Sequence, residues 1–225
     1  MKRVVIIGAG GHGREVAEIL RHSHRDSTVL GFVDEKTDRD QKVINDLPIL
    51  GGWSWFEGVD RSGLFVICAV GLPQIRKRLV ARAASFGLSF GNAVASSAYI
   101  SPSARIGEGV MIFPNAVISA DSVVGDHSIV NVGSTISHDS RLGSYATLNP
   151  GVHVAGNVLV DDGCYLGIGS NIIHGVSIGA WSFVGAGAVV TQDLPGDVTA
   201  VGVPARVVKT RERGWHEGST GAAGQ

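Results

Sequence analysis

From Val94 onward the chain repeats with a period of six. Every sixth residue is aliphatic: Val94, Ile100, Ile106, Ile112, Ile118, Val124, Val130, Ile136 and Leu142. Leu148, Val154, Val160, Leu166, Ile172, Ile178, Val184 and Val190 continue the series without a break in register. Three residues after the aliphatic the chain prefers glycine, asparagine or aspartate, as at Gly109, Asn115, Asp121, Gly133, Asn157 and Gly175. These types enter the left-handed backbone region at least cost. Four residues after it the side chain is usually small, as at Ala104, Ala116, Ser122, Ser128 and Ser140. One aliphatic and one tight turn per unit cannot bury an apolar side chain alone. Each unit must stack on others at strand spacing, about 4.8 Å, so the segment reads as a β-solenoid. The period stops at Thr191–Lys209, "TQDLPGDVTAVGVPARVVK". Residues 210–225 are small and polar and read as a flexible tail.

Residues 1–91 follow another pattern. "RVVIIGAGGHGREVAEIL" is an apolar strand, a glycine turn and an amphipathic helix with Val16, Ile19 and Leu20 on one side. "TVLGFVDE" and "GLFVICAVG" are two further strands, and "PQIRKRLVARAASFG" is a helix that turns Ile75, Leu79, Val80 and Ala83 inward and stops at Gly87. This alternation predicts a small parallel βαβ domain. Gly8, Gly10 and Gly13 fit the spacing G-x-G-x-x-G, and Asp34 ends the next strand, as in dinucleotide-binding turns. Three evident strands are about half of a complete dinucleotide fold, so the turn is read as a phosphate site at a helix N-terminus. A dinucleotide site and a purely structural turn are the alternatives.

The formal net charge of −1, with 17% charged residues, leaves no footprint for nucleic acid or an anionic membrane. The N-terminal apolar run is too short for a signal peptide and no run is long enough to span a bilayer. Cys68 and Cys164 are too few for a disulfide framework and read as reduced thiols of a cytoplasmic protein.

"TISHDSRLG" places His138 and Asp139 in the corner positions after Ile136. An aspartate there is explained by the turn alone, and a corner histidine by its outward direction. The functional reading is an imidazole that accepts a proton near neutrality beside a carboxylate that fixes its tautomer. His127 and His153 read as surface polar residues, and Trp53, Trp55 and Trp181 as packing residues.

"IIGAGGHGREV", "FVDE", "VGLPQIRKRL" and "ISHDSRLG" form one ordered set. This set resembles the bacterial family of sialic-acid O-acetyltransferases and N-acetyltransferases of nucleotide-linked 4-amino-6-deoxysugars, hexapeptide-repeat acyltransferases. The resemblance covers nearly the whole chain apart from the tail. It implies a Rossmann-like domain over 1–91 that holds the nucleotide of the acceptor, then a left-handed parallel β-helix over 92–209. It also implies a homotrimer with acetyl-CoA lying along the solenoid between subunits. In the closing segment Gly202, Pro204 and Ala205 match the family's glycine–x–proline–alanine pattern and are expected on the cofactor side.

By the same resemblance His138 is the general base and Asp139 its orienting acid. Gly10, Gly11 and His12 lie by the acceptor's phosphates or sugar, and Asp34 and Glu35 address its nucleoside. Gly156 matches a position that contacts the thioester, and Ile168 one that lines the pantetheine arm. One departure stands out: Thr147 occupies a place where some members carry a second histidine. The implied activity is acetyl-CoA-dependent N-acetylation of a nucleotide-linked 4-amino-4,6-dideoxysugar. O-acetylation of a sialic acid and a non-catalytic nucleotide-sugar scaffold are the alternatives. His174 follows His138 by two coils, a spacing that solenoid carbonic anhydrases use to hold zinc. Their third histidine is replaced here by Gly179, so no metal is expected.

Overall fold

The computed structural model describes residues 2–35 and 42–217. The N-terminal domain is a six-stranded sheet: β1 (Lys2–Ile7), β2 (Ser27–Val33), β3 (Val43–Ile44), β4 (Leu47–Gly51), β5 (Leu64–Cys68) and β6 (Ser89–Phe90), ordered β3-β4-β2-β1-β5-β6. All pairs are parallel except β3–β4. The sequence pattern showed only three of these strands. β3 and β6 have two residues each, and β4 holds Pro48, so none carries a run long enough to read.

Val5 and Ile6 are fully buried because the sheet is covered on both faces, as parallel sheets are. One face receives α1 (Gly11–Ser23) through Val16, Ile19 and Leu20; the other receives α2 (Pro73–Ser85) and a 3-10 turn at Trp53–Glu57. Gly87, at φ +68°, follows the end of α2. The α2 expectation needs a correction. Val80 and Ala83 are buried, but Ile75 and Leu79 are only half-buried, and Arg76 is the largest fully buried side chain among the described residues.

Seventeen two-residue strands follow, from Ala93–Val94 to Val189–Val190, each ending on the repeat aliphatic. The first fourteen pair in parallel with the strand 18 residues on, as Thr135–Ile136 does with His153–Val154, and Phe183–Val184 pairs with Thr199–Ala200. Three strands therefore make one coil of a left-handed parallel β-helix with three sheet faces. From Gly109 to Gly187 every third residue after an aliphatic has φ between +55° and +75°. His127, Tyr145 and Trp181 accept this conformation too, at about 1–2 kcal/mol each for a non-glycine residue. His127 and Trp181 lie over Gly109 and Gly163, where any Cβ would collide with them. His127 is thus not a surface residue: it is 5% exposed, edge-on to Phe90 and stacked on Tyr145. His153 is exposed, with Nδ1 3.0 Å from Thr135 Oγ1.

The small residues after each corner do more than save space. Ser122, Ser128, Ser134 and Ser140 are fully buried, and each hydroxyl donates to a carbonyl 15 residues ahead. Three of them also accept an N–H from 18 residues ahead, tying coil to coil.

Strand Val198–Val201 extends the face that begins with Ala93–Val94, and Arg206–Thr210 pairs with it antiparallel. The expected flexible tail is packed over 211–217. Arg211 lies over Phe183 and Trp215, and His216 stacks on Trp181 at 3.7 Å. Two aromatic rings in an otherwise polar stretch were enough to dock it. Residues 218–225 of that expectation lie outside the described residues. Trp53 and Trp181 are buried among aromatic neighbours, and Trp55 packs edge-on against Phe56.

Candidate active site

Two constellations stand apart on the chain. The first is a solenoid corner. Asp139 takes the left-handed turn conformation (φ +59°), and its Oδ2 lies 2.8 Å from His138 Nδ1. A carboxylate at that distance accepts the Nδ1–H, which leaves Nε2 as the ring's acceptor. Both side chains are about 60% exposed (61% and 60%). The His138 ring lies over Gly156 one coil on: a Cβ there would stand 2.7 Å from both Cε1 and Nε2. Ser140 holds this arrangement from behind, donating to Ala155 O and accepting from Val158 N–H.

His174 stands one coil further along the same edge. Its ring centre is 6.4 Å from that of His138, less than the roughly 10 Å that two coils span, because His138 leans across the space above Gly156. Among the described residues no group of three His, Cys, Asp or Glu side chains could hold a metal.

Ile168 is on the neighbouring corner, 61% exposed, with strand Asn171–Ile172 between it and His174. That solenoid face is therefore bracketed by Ile168 on one edge and by His138, Gly156 and His174 on the other. Gly202 and Ala205 close its end by hydrogen bonds to Val189, and Pro204 lies between them.

The second constellation is a cleft of about 380 Å³ at the C-terminal ends of β1, β2 and β5, where open parallel sheets bind ligands. Gly10, Gly11, His12, Asp34 and Glu35 all line it, and so do Ile75 and Leu79, whose half-burial is thereby explained. No side chain caps α1 at Gly10, so its first N–H groups are available to an anion. Gly13 has no room for a Cβ, which would run into Gly8 O. Asp34 Oδ2 accepts the Ala9 N–H at 2.8 Å and braces the glycine turn. Glu35 pairs with Arg82 at 3.2 Å, and Arg82 lies over the Trp53 ring. His12 packs on Phe113, and its Nε2 is buried without a hydrogen-bond partner. Burial, then the charge of Arg76, pulls its pKa down to about 4, so the ring is neutral at physiological pH. No residue of the His138 corner lines this cleft.

Sequence reasoning missed Arg76. It looks like one more charge in a basic helix turn, and nothing in its spacing distinguishes it from Arg78. Thr147 is also resolved: it is 1% exposed, accepts from Arg76 and donates to Gly71 O.

Residues 3–83 match the PglD N-terminal domain, and residues 103–138 match the bacterial transferase hexapeptide with six repeats. UDP-N-acetylbacillosamine N-acetyltransferase of Bacillus subtilis (strain 168) is 34% identical over 121 residues, 50% of this chain. That match spans about half (51%) of the curated relative's length. Among solved structures, a mutant perosamine N-acetyltransferase from Caulobacter crescentus, in complex with CoA and GDP-perosamine, is 40% identical with a TM-score of 0.87. The match covers 93% of this chain and 98% of that one. The acetyltransferase domain of PglB from Neisseria gonorrhoeae FA1090, in complex with acetyl coenzyme A, is 32% identical over 92% of this chain and 99% of that one, with a TM-score of 0.85. An α/β domain with a glycine-turn cleft, a three-faced solenoid with an exposed His–Asp corner, and this identity over nearly the full length agree: the chain belongs to the hexapeptide-repeat acyltransferase family of sialic-acid O-acetyltransferases and nucleotide-linked amino-sugar N-acetyltransferases.

Proposed function

We propose that the protein transfers the acetyl group of acetyl-CoA to the amine of a nucleotide-linked 4-amino-4,6-dideoxysugar. The observation that carries this reading is the His138–Asp139 pair, 2.8 Å apart, exposed above a glycine that leaves room for the ring. The acceptor amine attacks the thioester carbonyl while His138 Nε2 takes the proton it loses. Asp139, already bonded to Nδ1, stabilises the imidazolium that forms. The Gly156 amide faces the thioester oxygen, where an N–H stabilises the tetrahedral oxyanion. Collapse of that intermediate expels the thiolate of coenzyme A and leaves the amide.

The cofactor lies along the face between the His138 and Ile168 edges, with Gly202, Pro204 and Ala205 at its end. The cleft of Gly10, Gly11, His12, Asp34 and Glu35 holds the nucleotide part of the acceptor, with its phosphates at the α1 N-terminus. Relatives bound to acetyl-CoA and to GDP-perosamine support the two classes of ligand. The enzyme works as a cytoplasmic homotrimer in the assembly of surface polysaccharide or glycoprotein glycans. Separation of cleft and corner within one chain favours an assembly in which neighbouring subunits complete the site.

The reading is tested by thiol release from acetyl-CoA with UDP-, GDP- and dTDP-linked 4-amino-6-deoxysugars and free sialic acid. Turnover is expected with a nucleotide sugar. Release with sialic acid alone would move the protein to O-acetylation. Binding of acetyl-CoA with no turnover on any acceptor would make it a non-catalytic scaffold.

A further inference from the structure

Arg76 is completely buried and carries its charge into the junction of the two domains. Its Nη1 donates to Val70 O and Gly71 O at 2.6 and 3.0 Å, the carbonyls of the loop after β5. On the solenoid side Nε donates to His127 O at 2.7 Å. Nη2 donates to Tyr145 O, Ala146 O and Thr147 Oγ1 at 2.6, 3.2 and 2.9 Å. Thr147 Oγ1 in turn donates to Gly71 O at 2.8 Å. All six partners are neutral oxygens. Burial lowers the guanidinium's pKa to about 9, so it is charged at neutrality, and a desolvated charge is tolerable only while every donor is used.

The planar fork is what allows this. A guanidinium sends donors in several fixed directions at once, whereas a lysine ammonium is a single point. Two of the carbonyls it holds, those of Val70 and Gly71, belong to residues that line the nucleotide cleft. The opposing wall depends on the same loop. Gly8, at φ +105°, leaves a Cβ position only 3.1 Å from Ala69 O and 3.2 Å from Val70 Cγ2.

We propose that Arg76 is the positioning residue for the acceptor: it locks the cleft wall at Val70–Gly71 to the solenoid corner at residues 127 and 145–147. The nucleotide site is thereby held in one register with the coils that carry the acetyl-transfer chemistry. The proposal rests on the acceptor reading above for what the cleft binds, but not for the lock itself. Thr147 is the lock's second member, bonded to both Arg76 and Gly71 O.

The test uses the full-length protein and two variants, Arg76→Lys and Thr147→Val. Cys68, 2% exposed at the end of β5 and within the field of Arg76, reports the lock. Its labelling by a disulfide reagent, located by peptide mass, measures opening of the junction. Affinities for GDP, UDP, dTDP and acetyl-CoA are measured in parallel. In Arg76→Lys, labelling of Cys68 should rise about tenfold or more through local opening. Nucleotide affinity should fall by about tenfold as the wall loses its register, with acetyl-CoA affinity unchanged. Thr147→Val, which removes the two bonds of Thr147 Oγ1 but leaves the carbonyl partners of Arg76, should shift both readouts the same way by less, and it carries the test if the lysine variant fails to fold. Unchanged Cys68 protection and nucleotide affinity in a folded variant would overturn the proposal, as would equal losses for nucleotide and acetyl-CoA. If the wild type bound no nucleotide while Cys68 labelling still rose in the variants, the lock would stand and the acceptor reading would fall.

Discussion

The two halves of the chain position their functional groups by different physics. In the solenoid, position follows from register: a residue's number modulo 18 fixes its face or corner, and the hydrogen bonds between coils leave no freedom. His138, Gly156 and His174 share an edge for that reason alone. In the N-terminal domain, position depends on close approaches that no period announces. Gly13 abuts Gly8, Asp34 bonds Ala9, and one buried arginine joins the domains. A repeat offers a precise edge with little shape, and an irregular domain offers a shaped cleft. The protein has both.

Glycine substitutions break the comparison most sharply. Gly156→Ala puts a methyl group against the movable His138 ring, so kcat should fall about tenfold to a hundredfold with little change in melting temperature. Gly143→Ala puts it 2.5 Å from Asp162 N, in the backbone of the next coil. That clash cannot be relieved by a rotamer, and urea denaturation should show a loss of about 1–3 kcal/mol. If both variants lost stability alike, the edge at Gly156 would be ordinary solenoid rather than a site.

Asp139→Asn comes next. Asparagine keeps the left-handed turn, so folding should be intact while kcat drops about tenfold or more through loss of the fixed tautomer. Full activity in that variant, in steady-state assays, would reduce Asp139 to a turn residue.

pH separates the regions less strongly. Burial above all lowers His12 and His127 from 6.5 to about 4. Between those values the unfolded chain binds protons that the native state refuses, so stability falls as pH drops through the window and is level above it. Urea midpoints measured across that range should show the slope, and His127→Asn should remove part of it. The smallest effect belongs to the docked C-terminal segment. Glu217 is 3.9 Å from Lys77 and 69% exposed, so Glu217→Gln should shift stability by no more than about 0.5 kcal/mol.

What the sequence made legible follows the same division. Seventeen aliphatics gave the solenoid coil by coil, because periodicity is information repeated many times over. The His138 corner and the residues of the glycine cleft were also readable, since turns and helix N-termini have local signatures. The short strands β3, β4 and β6 were not, and neither was Arg76, whose importance lies in oxygen acceptors 51 to 71 residues away. His127 and the segment 211–217 were misread as surface and tail for a related reason: each is held by aromatic partners distant in sequence.

The central claim is that the His138 corner carries acetyl transfer to an acceptor held in the N-terminal cleft. Its most direct test is thiol release from acetyl-CoA with a nucleotide-linked 4-amino-6-deoxysugar, comparing wild type with His138→Ala. The account predicts turnover in the wild type and a fall in kcat of about a hundredfold or more in the variant, with acetyl-CoA affinity nearly unchanged. A variant that kept most of its turnover would remove His138 from the mechanism and contradict the account.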